Sequence, residues 1–415
     1  MRVQPTVLEI GEFWSPRNKG KKLKGTLCIR DSGEVTLKTN QLFHGFDQTD
    51  KIPKIIGCLE NGKHIILIDG FYTKFPLINH YASTELYFST AYLSSEDISR
   101  SDFHFNEIEF SYEGIDSWHY ANFIEHEFCK EKLKHTLTYD LREAFIFKFD
   151  TGIDLIIKPW NRFSCDYKKF NLSGDLFFKL VSEKETPLEI FLNHLKEVSL
   201  LINFGTEKYN NLFNVIGIQQ GEVEQNISNK IEIYFESIFY HNDKQKNDNF
   251  NLINFEDLLD NPNFFQNWVK LVNETFPSIQ LFLSGTFDKP RYLEVRYLSL
   301  VQSLEILQRG LNNDFSSNDT SFEDRIKLLL QPIQKYVGSK TKTKSFLDYV
   351  SKTRNELTHT GRLIKIKKDK KYNLYDLIEI LESIFKILIL SNLNLPDSLI
   401  EKALLRTLIE VPLLK

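Results

Sequence analysis

The sequence predicts an α+β protein: an N-terminal, mainly antiparallel β domain with an α/β appendage, followed by a C-terminal all-α helical bundle. Three observations carry that expectation. Residues 1 to about 180 hold short β-branched and aromatic runs separated by Gly, Asn and Asp. Beyond about residue 250 the apolar residues recur at helical spacing. Between these regions, residues 241–249 carry no apolar side chain, the composition of a linker. The expected domains are therefore 1–245, divided into a β-rich region (1–180) and an appendage (187–240), and 250–415.

Taken in order, the runs at 7–10, 24–30, 34–37, 64–68 and 107–112 read as strands. Asp31-Ser-Gly33 and Asn61-Gly62 supply hairpin turns, and the whole predicts a sandwich or barrel-like domain. Pro187 then opens a helix bearing Leu188, Phe191, Leu192, Leu195 and Val198, with Pro in the tolerated first turn. Two further strands are expected at 214–218 and 230–235. The helical region begins with 263–276 and 279–287. Leu293, Tyr297, Leu300, Leu304, Leu307 and Leu311 follow at alternating +4 and +3 spacing, an inward stripe. Residues 312–320 form a loop, Ser321 with Asp324 caps the next helix, and Pro332 bends or interrupts it. Residues 375–393 are apolar nearly all round, which predicts a central buried helix.

Composition bounds the function. With 415 residues, 41% of them hydrophobic, the chain can bury the cores of two or three domains. A net charge of −4 argues against a protein coated in nucleic acid, while leaving room for a local basic site. Cys28, Cys58, Cys129 and Cys165 are far apart and form no Cys-x-x-Cys pair, the usage of reduced thiols in a cytoplasm. Met1-Arg-Val-Gln-Pro5 has no apolar core behind its charge, so no secretory signal is expected. The most apolar run, 378–390, is short and interrupted by Glu382 and Lys386, so no membrane partner is expected.

Residues 345–361 organise the helical half. Ser345 and Asp348 form a capping-box start, and Gly361 can turn left-handed to close the helix. Leu347, Val350, Arg354 and Leu357 share one stripe, so Arg354 occupies a core position. A guanidinium there is costly unless something anionic meets it. Asn355 and His359, four apart, share the neighbouring face, while His359 lies roughly 140° around the helix from Arg354. The bare Arg-x4-His pattern arises by chance about 0.3 times in a chain of this composition, so its weight comes from context. A buried-acid partner for the Arg and a fraying helix end for the His account for the spacing equally well.

Arg354-Asn355-x3-His359, late in a helix, resembles the Arg-x4-6-His motif of HEPN ribonucleases, helical domains that cut RNA without metal. The flanking text resembles the ApeA-like HEPN group of anti-phage abortive-infection proteins. Residues 296–309 are similar to that group's early helix, including its acid at Glu305, and Gly11-Glu-Phe-Trp-Ser-Pro16 with Gly25-Thr-Leu27 is similar to the start of its N-terminal domain. The resemblance is strong over about 290–395 and loose before 245. It implies a C-terminal HEPN ribonuclease domain, an N-terminal regulatory or sensing domain, and a cleft built by a homodimer.

The residue types suit such chemistry. Metal-free cleavage needs a base for the 2′-OH, a donor to the leaving 5′-oxygen, and cations around the phosphorane. His359 suits proton transfer, Arg354 suits the phosphorane, and Asn355 can orient His359 or hold a phosphate oxygen. One Arg-His set per chain, facing two ways, points to two-fold pairing of the motif helices. Eleven Lys or Arg against three acids between 338 and 371 give a local balance of +8, of which Lys352, Arg362, Lys365, Lys367 and Lys368 are the expected RNA track. Glu305 is expected to hold Arg354 or Arg296 in a structural ion pair.

Other candidates are weaker. His119, His126, Cys129 and His135 match no standard zinc spacing, and Gly338-Ser-Lys-Thr341 lacks the earlier glycine of a P-loop, so neither a metal nor another cofactor is expected. Trp14, Trp118, Trp160 and Trp268 read as core anchors. The leading expectation is a cytoplasmic, homodimeric, metal-independent endoribonuclease of anti-phage defence, cutting cellular RNA such as tRNA or another structured RNA and answering a phage protein trigger. The alternatives are a non-catalytic HEPN module that binds RNA or protein, and a β-domain ligand binder with a helical dimerisation tail.

Overall fold

The computed structural model describes residues 1–415 apart from 44–50, 75–82, 99–102, 119–123, 132–133, 140–143, 166–169, 220–228, 238–239, 242–250, 288–291, 317–319, 338–339, 362, 364–371 and 407–415. Its strands are β1 (Val7–Trp14), β2 (Lys22–Ile29), β3 (Val35–Thr39), β4 (Ile52–Leu59), β5 (His64–Lys74), β6 (Thr84–Ser94) and β7 (His104–Tyr112), then β8 (Ile124–Cys129), β9 (Lys134–Tyr139), β10 (Phe145–Lys148), β11 (Ile153–Cys165), β12 (Phe170–Pro187), β13 (Leu212–Gln219) and β14 (Asn229–Phe235). All pairings are antiparallel. In β2 the alternation is plain: Leu23, Leu27 and Ile29 turn inward while Lys22 and Lys24 face water.

Strands β1 to β6 close on themselves, because β6 pairs with β5 along one edge and with β3 along a stretch of the other. Closure removes sheet edges that would otherwise expose backbone donors. The remainder of that β6 edge pairs with β14, from which the sheet runs on through β13, β7, β12 and β11 to β10. The strands expected at 214–218 and 230–235 are therefore central members of one sheet, and do not stand apart as an appendage. Inside the barrel, Phe13 lies across Gly57 and Phe88 across Gly70, where an added Cβ would come within 2.5 and 2.3 Å of the rings. Glycine at these two positions makes room for the largest core side chains.

The helices are α1 (Leu188–Thr206), α2 (Phe255–Leu259), α3 (Phe264–Thr275), α4 (Ser278–Phe287), α5 (Leu293–Leu311), α6 (Phe322–Leu330), α7 (Gln334–Val337), α8 (Lys340–His359), α9 (Leu374–Asn392) and α10 (Asp397–Arg406). By its packing the chain divides into two compact units. Met1–Asp116, Asn122–Lys196 and Tyr209–Asn247 form one; Ser117–Ala121, Glu197–Lys208 and Asp248–Lys415 form the other. The division runs through α1 as well as near the polar stretch, and 242–249 of that stretch lies outside the described residues.

In the helical unit, α5 turns Tyr297, Leu300, Leu304 and Leu307 of its +4/+3 stripe into the core and packs on α9, whereas the stripe's ends do not follow: Leu293 is exposed in the first turn and Leu311 is only half-buried. Helix α9 is buried on most of its circumference, and its Phe385 stacks on Phe282 of α4 at 4.2 Å between centroids. Trp268 is buried with its indole N–H donating to Glu197 O at 3.0 Å, and Trp118 donates likewise to Ile253 O at 2.8 Å. Trp14 is half-buried beneath Lys22, and the side chain of Trp160 lies outside the described residues. Pro332 falls between α6 and α7, where it ends one helix before the next begins.

Candidate active site on the motif helix

Helix α8 carries the motif. Phe346, Leu347, Tyr349, Val350 and Thr353 are its buried face, which docks on α5 and α6. The helix starts at Lys340, so Ser345 lies in its interior and does not cap it. The preceding residues contain no breaker after Gly338, and Thr343 already packs inward, so the helix gains a further turn from tertiary contact. Asp348 instead binds Lys352 one turn on, at 2.7 Å. At the other end the helix stops at His359, and Gly361 takes the expected left-handed conformation at φ +63°.

Arg354 is tied to two other helices. Its Nη2 donates to Glu305 Oε2 of α5 at 3.3 Å, and its Cζ lies 4.9 Å from the ring centre of Phe322, the first residue of α6. The other carboxylate oxygen of Glu305 accepts from Arg309 Nη2 at 3.3 Å, and Arg309 also reaches Asp314 O. Arg354 thus has an acid partner, yet its side chain stays 32% exposed. Among the described residues its remaining guanidinium N–H groups have no hydrogen-bond acceptor. Phe322 is held by the Ser321 cap, whose Oγ accepts the Asp324 N–H at 3.2 Å, as the sequence predicts.

The depth of α8 is set by Tyr297, whose hydroxyl donates to Val350 O at 2.7 Å. Burial pushes the Tyr297 phenol far up, with Arg354 and Thr353 opposing, so it remains a neutral donor. His359 and Asn355 are exposed, and neither side chain has a hydrogen bond among the described residues. Asn355 therefore does not orient His359 within one chain. The side chains of Arg354 and His359 also sit differently, one half-buried against α5 and α6, the other in water.

The remaining expectations divide. Arg296 does not meet Glu305. It donates through Nε to Glu382 of α9 at 2.9 Å, because nine residues along α5 place it on a different level of the bundle. Burial raises the Glu382 carboxyl, and Arg296 works against that rise. Lys352 is exposed and already paired with Asp348. Arg362, Lys365, Lys367 and Lys368 lie outside the described residues, as do His119 and the side chains of His126 and His135. Cys129 is exposed at the end of β8, and no group of His, Cys, Asp and Glu among the described residues is placed to hold a metal. Two site residues are not evident from the motif text. Arg309 is signalled by its i,i+4 spacing from Glu305, whereas nothing in the sequence marks Phe322 as the platform for Arg354.

The family model for ApeA N-terminal domain 1 matches residues 9–268. That for Apea-like HEPN matches residues 298–399, a span enclosing Glu305, Arg309, Phe322, Arg354, Asn355 and His359. No curated protein and no solved structure matches the chain. With the first model covering well over half of its length and the second enclosing the motif helix and its partners, this chain belongs to the ApeA-like HEPN family.

Proposed function

We propose that this chain is a metal-independent endoribonuclease of anti-phage abortive infection, cutting cellular RNA in the cytoplasm as a homodimer. The observation that carries the reading is Arg354: anchored by one long hydrogen bond and an aromatic face, partly exposed, with donors left for a phosphate. In the reaction, His359 of one chain takes the proton of the 2′-OH as that oxygen attacks phosphorus. Arg354 donates to the equatorial oxygens as negative charge builds there. The bond to the 5′-oxygen breaks, the second His359 of the dimer protonates the leaving oxygen, and a 2′,3′-cyclic phosphate remains. Two-fold pairing supplies both histidines and accounts for Arg354 and His359 turning to different sides of one chain.

The N-terminal region, on this reading, restrains the cleft and meets a phage protein trigger. RNA end sequencing after expression tests the whole, with and without infection, for wild type, Arg354→Ala and His359→Ala. New 2′,3′-cyclic phosphate or 3′-phosphate ends are expected in the infected wild type alone. Wild-type cleavage by either variant overturns the site. Cleavage-free cells in every arm leave the non-catalytic HEPN module, which the Arg354–Glu305 pair also accommodates.

A further inference from the structure

We propose that the groove between α6 and α8 is a binding subsite for single-stranded RNA, holding the nucleotides next to the phosphate that Arg354 faces. The inference rests on the RNA-binding role proposed for Arg354, but not on cleavage. The groove encloses about 550 Å³, within the range of small-ligand sites. Lys327 of α6 and Lys344 of α8 stand on its two walls, both exposed and neither with a partner among the described residues. By contrast Lys270, Lys335, Lys352 and Lys386 of the same unit are each paired with a carboxylate. Two uncommitted ammonium groups facing across one cleft suit a phosphate backbone.

The rest of the lining suits bases. Gln334 Nε2 donates to Thr343 Oγ1 at 3.3 Å, placing an amide and a hydroxyl together, with the apolar side chain of Leu347 beside them. Two carboxylates also line the groove. Asp324 accepts the Ser321 hydroxyl at 2.6 Å and is committed to the start of α6. Glu323 is left as an acceptor, which fits the exocyclic amine of cytosine or adenine and not a phosphate. The groove is continuous with the motif: Phe322, under Arg354, precedes Glu323, and Leu347 lies on the Arg354 stripe about 10 Å along the helix.

The test uses the full chain and a fluorescein-labelled, mixed-sequence 2′-O-methyl RNA, which lacks the nucleophile and is not cut. Each phosphate contact to a single strand contributes about 0.7 to the slope of log K against log salt. The double variant Lys327→Gln/Lys344→Gln is expected to lower that slope by about 1.4 and to weaken binding at low salt, while Lys335→Gln leaves the slope unchanged. An unchanged slope in the double variant, or an equal loss in Lys335→Gln, overturns the groove assignment. A wild-type chain that does not bind the RNA overturns both this assignment and the RNA-binding role of Arg354. A lowered slope in a protein that never cleaves RNA supports the groove and overturns only the catalytic reading.

Discussion

Arg354 is anchored by one long hydrogen bond and one ring contact. Its bond to Glu305 is 3.3 Å, at the outer edge of an N–H···O contact, and a face-on ring contact adds about 0.5–2 kcal/mol. Glu305→Gln keeps the shape and removes the charge, while Phe322→Leu keeps apolar bulk and removes the ring's negative face. Either is expected to slow single-turnover cleavage about tenfold, the equivalent of about 1.4 kcal/mol, with RNA affinity within about twofold. Phe322→Tyr restores the rate; if it is as slow as Phe322→Leu, the ring is not a platform. A second residue-scale prediction concerns Asp31. Burial works to raise its carboxyl, but the Val3 N–H, Gln4 and Arg2 outweigh it and hold the group below its ordinary value. A depressed carboxyl contributes stability that is present above its unfolded pKa and lost as pH falls through the folded one. Asp31→Asn should therefore cost about 1–3 kcal/mol at neutral pH, a difference that shrinks below about pH 4. Thermal melts of both chains across that range decide it, and a gap that persists in acid refutes it.

At the scale of elements, the site depends on how α6 begins. The Ser321 hydroxyl satisfies the Asp324 N–H, and that cap keeps the first turn wound, with Phe322 at its first position. Ser321→Ala is expected to cost about 1 kcal/mol in denaturant unfolding, and Ser321→Thr much less. Cleavage should fall with the cap, because a frayed first turn releases the ring under Arg354. Stability lost without any change in cleavage would separate the cap from the site. Helix α8 is defined from the other direction, by its docking. Phe346, Val350 and Thr353 are buried, and the Tyr297 bond sets its height on α5.

At the scale of the whole molecule, Arg354 is half-buried against α5 and α6 while His359 is exposed, and the proposed function builds its cleft from a pair of chains. Heterodimers of one wild-type and one His359→Ala chain, isolated with two tags, are expected to lose cleavage by about a hundredfold or more, since the cleft then holds one histidine and lacks either its base or its acid. The His359→Ala homodimer is inactive as well. A mixed dimer that keeps half or more of wild-type cleavage, or an active monomer by light scattering, removes the two-chain cleft.

The sequence alone determined what local chemistry can specify. Helical periodicity marked α5 and the apolar α9, Ser321 and Gly361 marked a start and a stop, and the Arg354-Asn355-x3-His359 text with its flanks led to the family. These are signals of neighbours within a few residues, and they survive without a fold. What only the tertiary structure decided are meetings between distant segments. Strand β6 is buried on both faces, so it lacks alternation, and nothing local reveals that it closes the barrel and carries β14 as well. The extra turn of α8 exists because Thr343 finds a buried place, which overrides the polar sequence around Ser345. Glu305 chooses Arg354 over Arg296 because α5 and α8 cross at that level, and Glu382 waits for Arg296 on α9. Phe322 becomes a platform for the same reason: spacing along the chain says which residues share a face, while packing says what that face meets.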